Sequence, residues 1–287
     1  EAEESLEFEN QADADADIRA NLDDNVLWYD DRIYNILLVG ADYGDRKDGK
    51  FDNYLTRSDS MILLSINTIN NVINMVSLSR AAYVAIPGHG NKRLNAAHAY
   101  GGAKLLVETI EQNYKIRIDK YVTVNFDGFQ SIVDALNGVS VNLTAQEASI
   151  IVGKAKAGTY DLNGEKAMAF ARLRSIDSDR KRTGRQRAIL NAMAVKLRQS
   201  SVSQLFELLD VFLPLVTTNF TKTELIGQMA NVPQYLKMSI HEDVIPFNAL
   251  PLSLRGGMEV LILDWEETHK RTHDLLYPGI VPQSAQE

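Results

Sequence analysis

Two aspartates and a crowd of arginines are the residues of this chain best equipped for chemistry. Asp42 ends the run Asn35-Ile36-Leu37-Leu38-Val39-Gly40-Ala41-Asp42, and Asp59 stands two residues after Arg57. Tyr34 to Val39 reads as a buried strand, and Ser60 to Asn67 as the next one, with a polar loop from Tyr43 to Thr56 between them. One carboxylate then ends a strand and the other starts its neighbour, at a mouth where α/β proteins bind ligands. Mg²⁺ is commonly held by one or two carboxylates plus substrate phosphates, so this pair suits a diphosphate substrate. Asp is also ordinary at turns, and from these residues alone turn capping is the commoner role.

The cations come in two groups. Arg57 lies just before Asp59, and Arg80 ends a second strand-like run, Val72 to Ser79. Arginine offers phosphate a planar fork of donors that stays charged at any working pH, although a solvated bridge from Arg57 to Asp59 or Asp42 is the commoner fate of an isolated arginine. The denser group runs from Ala171 to Arg187, where seven of seventeen residues are Arg or Lys. It fits a clamp around two phosphates, a solvated face or a nucleic-acid patch, and charge density does not choose among these. Nucleic acid is the weakest partner because no aromatic residues are interleaved for stacking.

Elements must position these groups. The first 31 residues carry twelve Asp or Glu against one Arg, a charge of −11 in a chain of net −8, which leaves +3 on the rest. So acidic a segment, with few large apolar residues, reads as a linker or loose helix over 1–31, ahead of one large domain over 32–280 and a tail over 281–287. The chain opens on Glu1 rather than Met, as a trimmed piece would, and no apolar run approaches the roughly 20 residues of a membrane span. With no cysteine, thiol nucleophiles and zinc-thiolate sites are excluded. No His-rich metal spacing exists, and His89 and His98 read as ordinary loop and helix residues.

Ser60 to Asn67 and Val72 to Ser79 form a hairpin or short crossing over Asn-rich turn residues, and Tyr121 to Phe126 is a further strand. Helical patterns cover Asn95 to Asn113 with Asn95 as N-cap, Phe129 to Leu136, Asn163 to Ala171, Arg185 to Arg198, Gln204 to Leu215, Thr221 to Met229 and Glu266 to Leu276. Strands and helices alternate early and helices dominate late, so the class is α/β with a central sheet covered on both faces. Leu205 to Val216 is apolar on more than one face; a helix buried against the sheet is favoured over a channel wall.

Several blocks in order resemble the LytR-CpsA-Psr family. They are Asn35 to Asp42, Arg57-Ser58-Asp59-Ser60-Met61, Ser77-Leu78-Ser79-Arg80, Leu94-Asn95-Ala96-Ala97-His98-Ala99-Tyr100-Gly101-Gly102, Val124-Asn125-Phe126-Asp127-Gly128-Phe129, Leu162-Asn163-Gly164 leading into Ala171-Arg172-Leu173-Arg174, and Asp179, Arg182, Arg185 and Gln186. The similarity runs over about residues 34 to 200.

The resemblance implies a central mixed sheet flanked by helices, with a hydrophobic channel for a polyprenyl tail. It implies a domain outside the cell, tethered by an N-terminal membrane anchor absent from this chain. The implied activity moves a phospho-glycan such as teichoic acid or capsule from a polyprenyl diphosphate carrier to peptidoglycan, by family analogy onto a muramic acid 6-hydroxyl. Asp42 and Asp59 would hold Mg²⁺, and Arg57, Arg80, Arg172, Arg174, Arg182 and Arg185 the diphosphate. Asp179 and Gln186 complete the last block, and Arg93 stands where the family often has Lys. The sequence departs from the family at Arg80-Ala81-Ala82, where a carboxylate commonly follows the arginine. If that acid orients Arg80 or moves a proton, a chain with Ala81 binds donor yet turns over poorly. A Mg²⁺-dependent diphosphatase using water as acceptor, and a non-catalytic glycan-binding module, are the alternatives.

Overall fold

A computed structural model describes residues 11–23, 26–41, 56–173, 179–254, 257–281 and 283–286. The chain divides into two compact units, Glu1–Tyr121 with Asp243–Glu287 and Val122–Glu242, where the sequence reading has one domain.

Unit 1 opens with helix α1 (Gln11–Asp23) and strand β1 (Val26–Tyr29). The acidic opening, read as a linker or loose helix, is helical over Gln11–Asp23: Ala14 and Ile18, four residues apart, are buried in the core, Asp17 on the same face is half-buried, and Asp13 points to solvent. Asp15 accepts hydrogen bonds from the Tyr83 hydroxyl (2.9 Å) and the Asn91 amide (2.8 Å). Burial and the Asp15 carboxylate together push the Tyr83 phenol up to about 12.

Strands β2 (Ile33–Ala41), β3 (Ser58–Asn67) and β4 (Val72–Leu78) form an antiparallel meander. Strand β2 alternates buried and half-buried residues, and β3 is largely buried. The β3–β4 connection turns at Asn71, whose φ of 52° suits Asn better than a branched residue. Next come the hairpin β5 (Tyr83–Ile86) and β6 (Gly90–Arg93), helix α2 (Asn95–Tyr114) and strand β7 (Lys120–Val124). Leu94 rather than Asn95 is the N-cap of α2. The helix is broken at Gly101-Gly102, where Gly102 sits at φ 64° and a Cβ on Gly101 would fall 2.6 Å from the Leu105 Cβ. Asn35 ties β2 to the approach of β7 through the Arg117 carbonyl (2.8 Å) and the Asp119 carboxylate (2.8 Å).

Unit 2 holds helix α3 (Phe126–Ala135), strand β8 (Val139–Leu143), helix α4 (Ala145–Val152), strand β9 (Gly158–Leu162) and helices α5 (Gly164–Arg172), α6 (Asp179–Arg198) and α7 (Val202–Phe212). Strand β10 (Val216–Thr218), helices α8 (Lys222–Met229) and α9 (Val232–Tyr235) and strand β11 (Ser239–Ile245) follow. A small core of Val133, Val139, Leu143, Leu162, Phe170 and Ile189 joins α3, α5 and α6 to the β8–β9 hairpin. Helix α5 approaches α3 so closely that a Cβ on Gly164 would lie 2.3 Å from the Gln130 carbonyl oxygen. The Gly164 amide donates to Asp134 (2.8 Å), and Asn163 caps the helix, which explains the Asn-Gly pair.

The chain returns to unit 1 with the hairpin β12 (Ala249–Leu254) and β13 (Met258–Leu263), helix α10 (Trp265–Leu276) and strand β14 (Gln283–Gln286), which pairs with β1. The strand order of the central sheet is β10-β7-β2-β3-β4-β11, so the fold is mixed α/β with a six-stranded sheet and flanking helices.

Helix α7 differs from the reading of Leu205 to Val216 as a buried helix. Leu205 is its buried residue, while Phe206 (40%) and Val211 (47%) are exposed.

Candidate functional site

In unit 1 the carboxylate and its arginine meet. Strand β2 pairs Gly40 with Ser60 and Ala41 with Ser58, so Asp59 is the extra residue of a β-bulge. A bulge re-aims a side chain and ends regular pairing, which presents Asp59 at the strand end with about a third of its side chain in water. Arg80, just past β4, donates from Nη1 to the Asp59 carboxylate at 3.0 Å. Arg80 is itself held by its backbone, whose carbonyl accepts from the Asn95 amide (3.3 Å) at the start of α2. Arg57 is exposed on the segment before β3, and Asp42 lies outside the described residues.

One further residue braces this corner. His98, on the first turns of α2, is 1% exposed and its Nδ1 is 2.9 Å from the Thr56 carbonyl, fixing the backbone just ahead of Arg57. Burial pulls its imidazole below the ordinary value, and the Thr56 hydrogen bond opposes this only in part, so the neutral ring is favoured. Its place in the Asn95 to Gly102 block was the available signal. Arg93 points elsewhere: its guanidinium donates to the Glu259 carbonyl of β13 through Nε (2.6 Å) and Nη2. Ala81 is bridged by its backbone carbonyl to the Leu261 amide (2.9 Å).

In unit 2 the arginine-rich run separates into exposed and buried members. Arg172 ends α5 in the open, its guanidinium 4.2 Å from the centroid of Phe126. That stacking leaves the planar edge of donors free to take an oxyanion. Arg182 (3%) and Arg185 (4%) are buried in the first turns of α6, with Gln186 half-buried beside them. Arg185 donates from Nε to Glu147 (2.7 Å) and from Nη1 to the Leu173 carbonyl (2.8 Å), so it fixes the backbone immediately after Arg172. Burial pushes the Glu147 carboxyl up, but Arg185 and the amide and hydroxyl of Thr144 outweigh it and hold the group below its ordinary value. Thr144 and Glu147 form the capping box of α4, a Thr-x-x-Glu spacing readable in the sequence though Glu147 was not singled out. Arg187, also outside the expected set, pairs with Glu242 at 2.8 Å. Arg174 lies outside the described residues, as does the side chain of Asp179.

The far half of α6 lines a cavity of about 700 Å³. Val195, Leu197, Val202, Leu205, Leu236 and Met238 supply apolar walls from α6, α7 and the stretch around α9, and Arg198 and Lys237 supply charge. With 1.5 Å of rise per residue, Val195 lies roughly 15 Å along α6 from Arg185. One helix thus carries cations at its start and an apolar chamber near its end.

Residues 2–274 match the LytR_cpsA_psr family. The polyisoprenyl-teichoic acid–peptidoglycan teichoic acid transferase TagT of Bacillus subtilis (strain 168) is 34% identical over 202 residues, 68% of this chain and 62% of that protein. The transferase TagU of Oceanobacillus iheyensis is 36% identical over 228 residues, 76% of this chain and 68% of that protein. The chain thus spans about two thirds of the length of these relatives. A solved structure of YwtF (TagT) with bound octaprenyl pyrophosphate lipid superposes with a TM-score of 0.65 at 26% identity, covering 86% of this chain and 91% of that one. The chain belongs to the LytR-CpsA-Psr family.

Proposed function

We propose that this protein transfers a phospho-glycan from a polyprenyl diphosphate carrier to peptidoglycan, outside the membrane and tethered to it by a segment preceding this chain. No helix among the described residues is long and apolar enough to cross a membrane. The observation that carries the reading is the layout of unit 2: exposed Arg172, held in place by Arg185 at the start of α6, and an apolar cavity of about 700 Å³ along the far half of α6, a polarity that matches a charged head on a long hydrocarbon tail. The relative with bound octaprenyl pyrophosphate supports this assignment of the ligand.

In unit 2, Arg172 contributes the exposed guanidinium for the diphosphate, and Arg185 positions it through the Leu173 carbonyl. In unit 1, Arg80 and Arg57 offset charge on the phosphate under attack, and Asp59, oriented by Arg80, faces the acceptor as proton acceptor. The acceptor hydroxyl oxygen bonds to the sugar-linked phosphorus and loses its proton, while the bond from that phosphorus to the bridging oxygen breaks and polyprenyl phosphate leaves. Among the described residues there is no group of three or more His, Asp or Glu that could hold a metal. Mg²⁺ does not need one, and the part-exposed carboxylate of Asp59, with Asp42 before it in the family pattern, fits the usual ligand set. When bound there, Mg²⁺ would supply charge neutralisation on the diphosphate.

The test is a labelled, short-chain polyprenyl diphosphate-linked disaccharide incubated with peptidoglycan. Label entering peptidoglycan with release of polyprenyl phosphate, and falling by two orders of magnitude or more in Asp59→Asn, supports transfer. Label appearing only as free phospho-glycan identifies a hydrolase, and donor binding that survives chelation without turnover identifies a binding module. The variant Ala81→Asp measures what the absent carboxylate contributes.

A further inference from the structure

Two aromatic side chains in unit 1 have no part in the chemistry above. The His89 imidazole and the Tyr100 phenol ring are stacked with centroids 4.3 Å apart and planes within 6° of parallel. Both are exposed, Tyr100 to 46%. They come from different elements, and each is aimed by glycines. His89 sits in the β5–β6 turn between Gly88 (φ 72°) and Gly90 (φ 67°), with its amide bound to the Ile86 carbonyl at 2.9 Å. Tyr100 is the last residue of α2 before the break at Gly101-Gly102.

The pair is tied to the reactive corner by one short stretch of helix. Asn95 donates its amide to the Arg80 carbonyl (3.3 Å), and His98 holds the Thr56 carbonyl ahead of Arg57 (2.9 Å). Tyr100 lies about 7.5 Å along the helix from Asn95. Leaving a large ring half in water forgoes burial energy; stacking buries one face of each ring against the other and holds the pair so that an outward face is a flat apolar surface with polar groups at its rim. A pyranose ring has the complementary design, with C–H bonds on its face and hydroxyls around its edge.

We propose that the His89–Tyr100 pair is a stacking platform for a sugar ring of the glycan that reacts beside Arg80 and Asp59. The proposal rests on the transferase reading for which reaction the glycan enters, and on geometry alone for the platform. Two glycans carry such rings, the peptidoglycan acceptor and the lipid-linked donor.

Saturation-transfer NMR on the full chain tests it with two separate probes, an N-acetylglucosaminyl–N-acetylmuramyl peptide and the lipid-free disaccharide of the donor. The sugar ring protons of one probe should receive saturation from the wild type. The signal should be lost in Tyr100→Ala and kept in Tyr100→Phe, with affinity about 3- to 10-fold weaker in Tyr100→Ala and in His89→Ala, the size of one aromatic stacking contact. Both positions are exposed and either substitution removes only their mutual stacking, so the unfolding midpoint should move little. Loss confined to the peptidoglycan fragment assigns the platform to the acceptor, and loss confined to the other probe assigns it to the donor. Equal signals from wild type and Tyr100→Ala for both probes, or no signal from either, overturn the proposal. A wild type that shows the sugar contact yet transfers no label to peptidoglycan would sink the transferase reading and leave the platform standing.

Discussion

Replacing Arg185 by Met should unfold the protein far more easily, and replacing Glu147 along with it should restore most of the loss. Arg185 and Glu147 lie 2.7 Å apart with side chains only 4% and 11% exposed. Removing the guanidinium strands a carboxylate in a low-dielectric interior, and breaking one side of such a pair costs about 3–5 kcal/mol. The Leu173 carbonyl loses a donor at the same time, a contribution of about 1–3 kcal/mol that overlaps with the first rather than adding to it. Arg185→Met should therefore stand about 3–5 kcal/mol below wild type in urea unfolding followed by far-ultraviolet circular dichroism at pH 7. In Glu147→Met/Arg185→Met neither charge of the pair remains. The residual loss is the α4 capping box, about 1 kcal/mol, together with the Leu173 contact.

This cycle bears directly on function, because a plain Arg185→Ala experiment cannot separate a phosphate ligand from a structural brace. If the double variant folds like wild type and still binds a short-chain polyprenyl diphosphate, Arg185 is a brace for the fold alone and the ligand does not need its guanidinium. If it folds and does not bind, Arg185 serves the ligand, either by contact or by holding Leu173 beside Arg172. The structural reasoning fails if Arg185→Met costs less than about 1 kcal/mol, or if the double variant unfolds at a lower urea concentration than the single one.

Arg172→Ala should leave the unfolding midpoint unchanged, since the side chain is exposed, while weakening donor binding by about ten- to hundredfold in calorimetry. Gly164→Ala should cost roughly 2–4 kcal/mol in chemical denaturation, because its Cβ would meet the Gln130 carbonyl oxygen at 2.3 Å and part α5 from α3; a loss below about 0.5 kcal/mol would refute that packing. Ile18→Ala should cost about 2–4 kcal/mol if α1 belongs to the core, against nearly nothing for a linker residue. His98 has a depressed folded value, so its contribution to stability is present above the ordinary value of 6.5 and is lost as the pH falls through the folded one. The melting temperature should fall between pH 7.5 and 5.5 in the wild type and stay flatter in His98→Asn.

The α/β class and the hairpin of β3 and β4 were legible in the sequence because each rests on local periodicity and turn residues. What was not legible depends on partners distant in the chain. Nothing local to Asp59 announces that β2 and β3 fall out of register at Gly40 and Ala41, and that slip is what presents the carboxylate. The arginine run reads as uniform charge, yet its members part according to Glu147, 38 residues from Arg185, and Phe126, 46 residues from Arg172. Helix α1 was hidden by composition: its acids dominate any average, whereas Ala14 and Ile18 at helical spacing are what dock it. Helix α7 shows the opposite error, since its apolar residues suggested burial and the structure leaves Phe206 and Val211 exposed. On the cavity wall itself, Val195 of α6 and Val202 of α7 are also exposed, which makes sense if a hydrocarbon chain, rather than the protein, completes that surface. Val202→Ser should then weaken polyprenyl diphosphate binding without lowering stability, the reverse of what a core valine would show, and a stability loss above about 2 kcal/mol would return this end of α7 to the core.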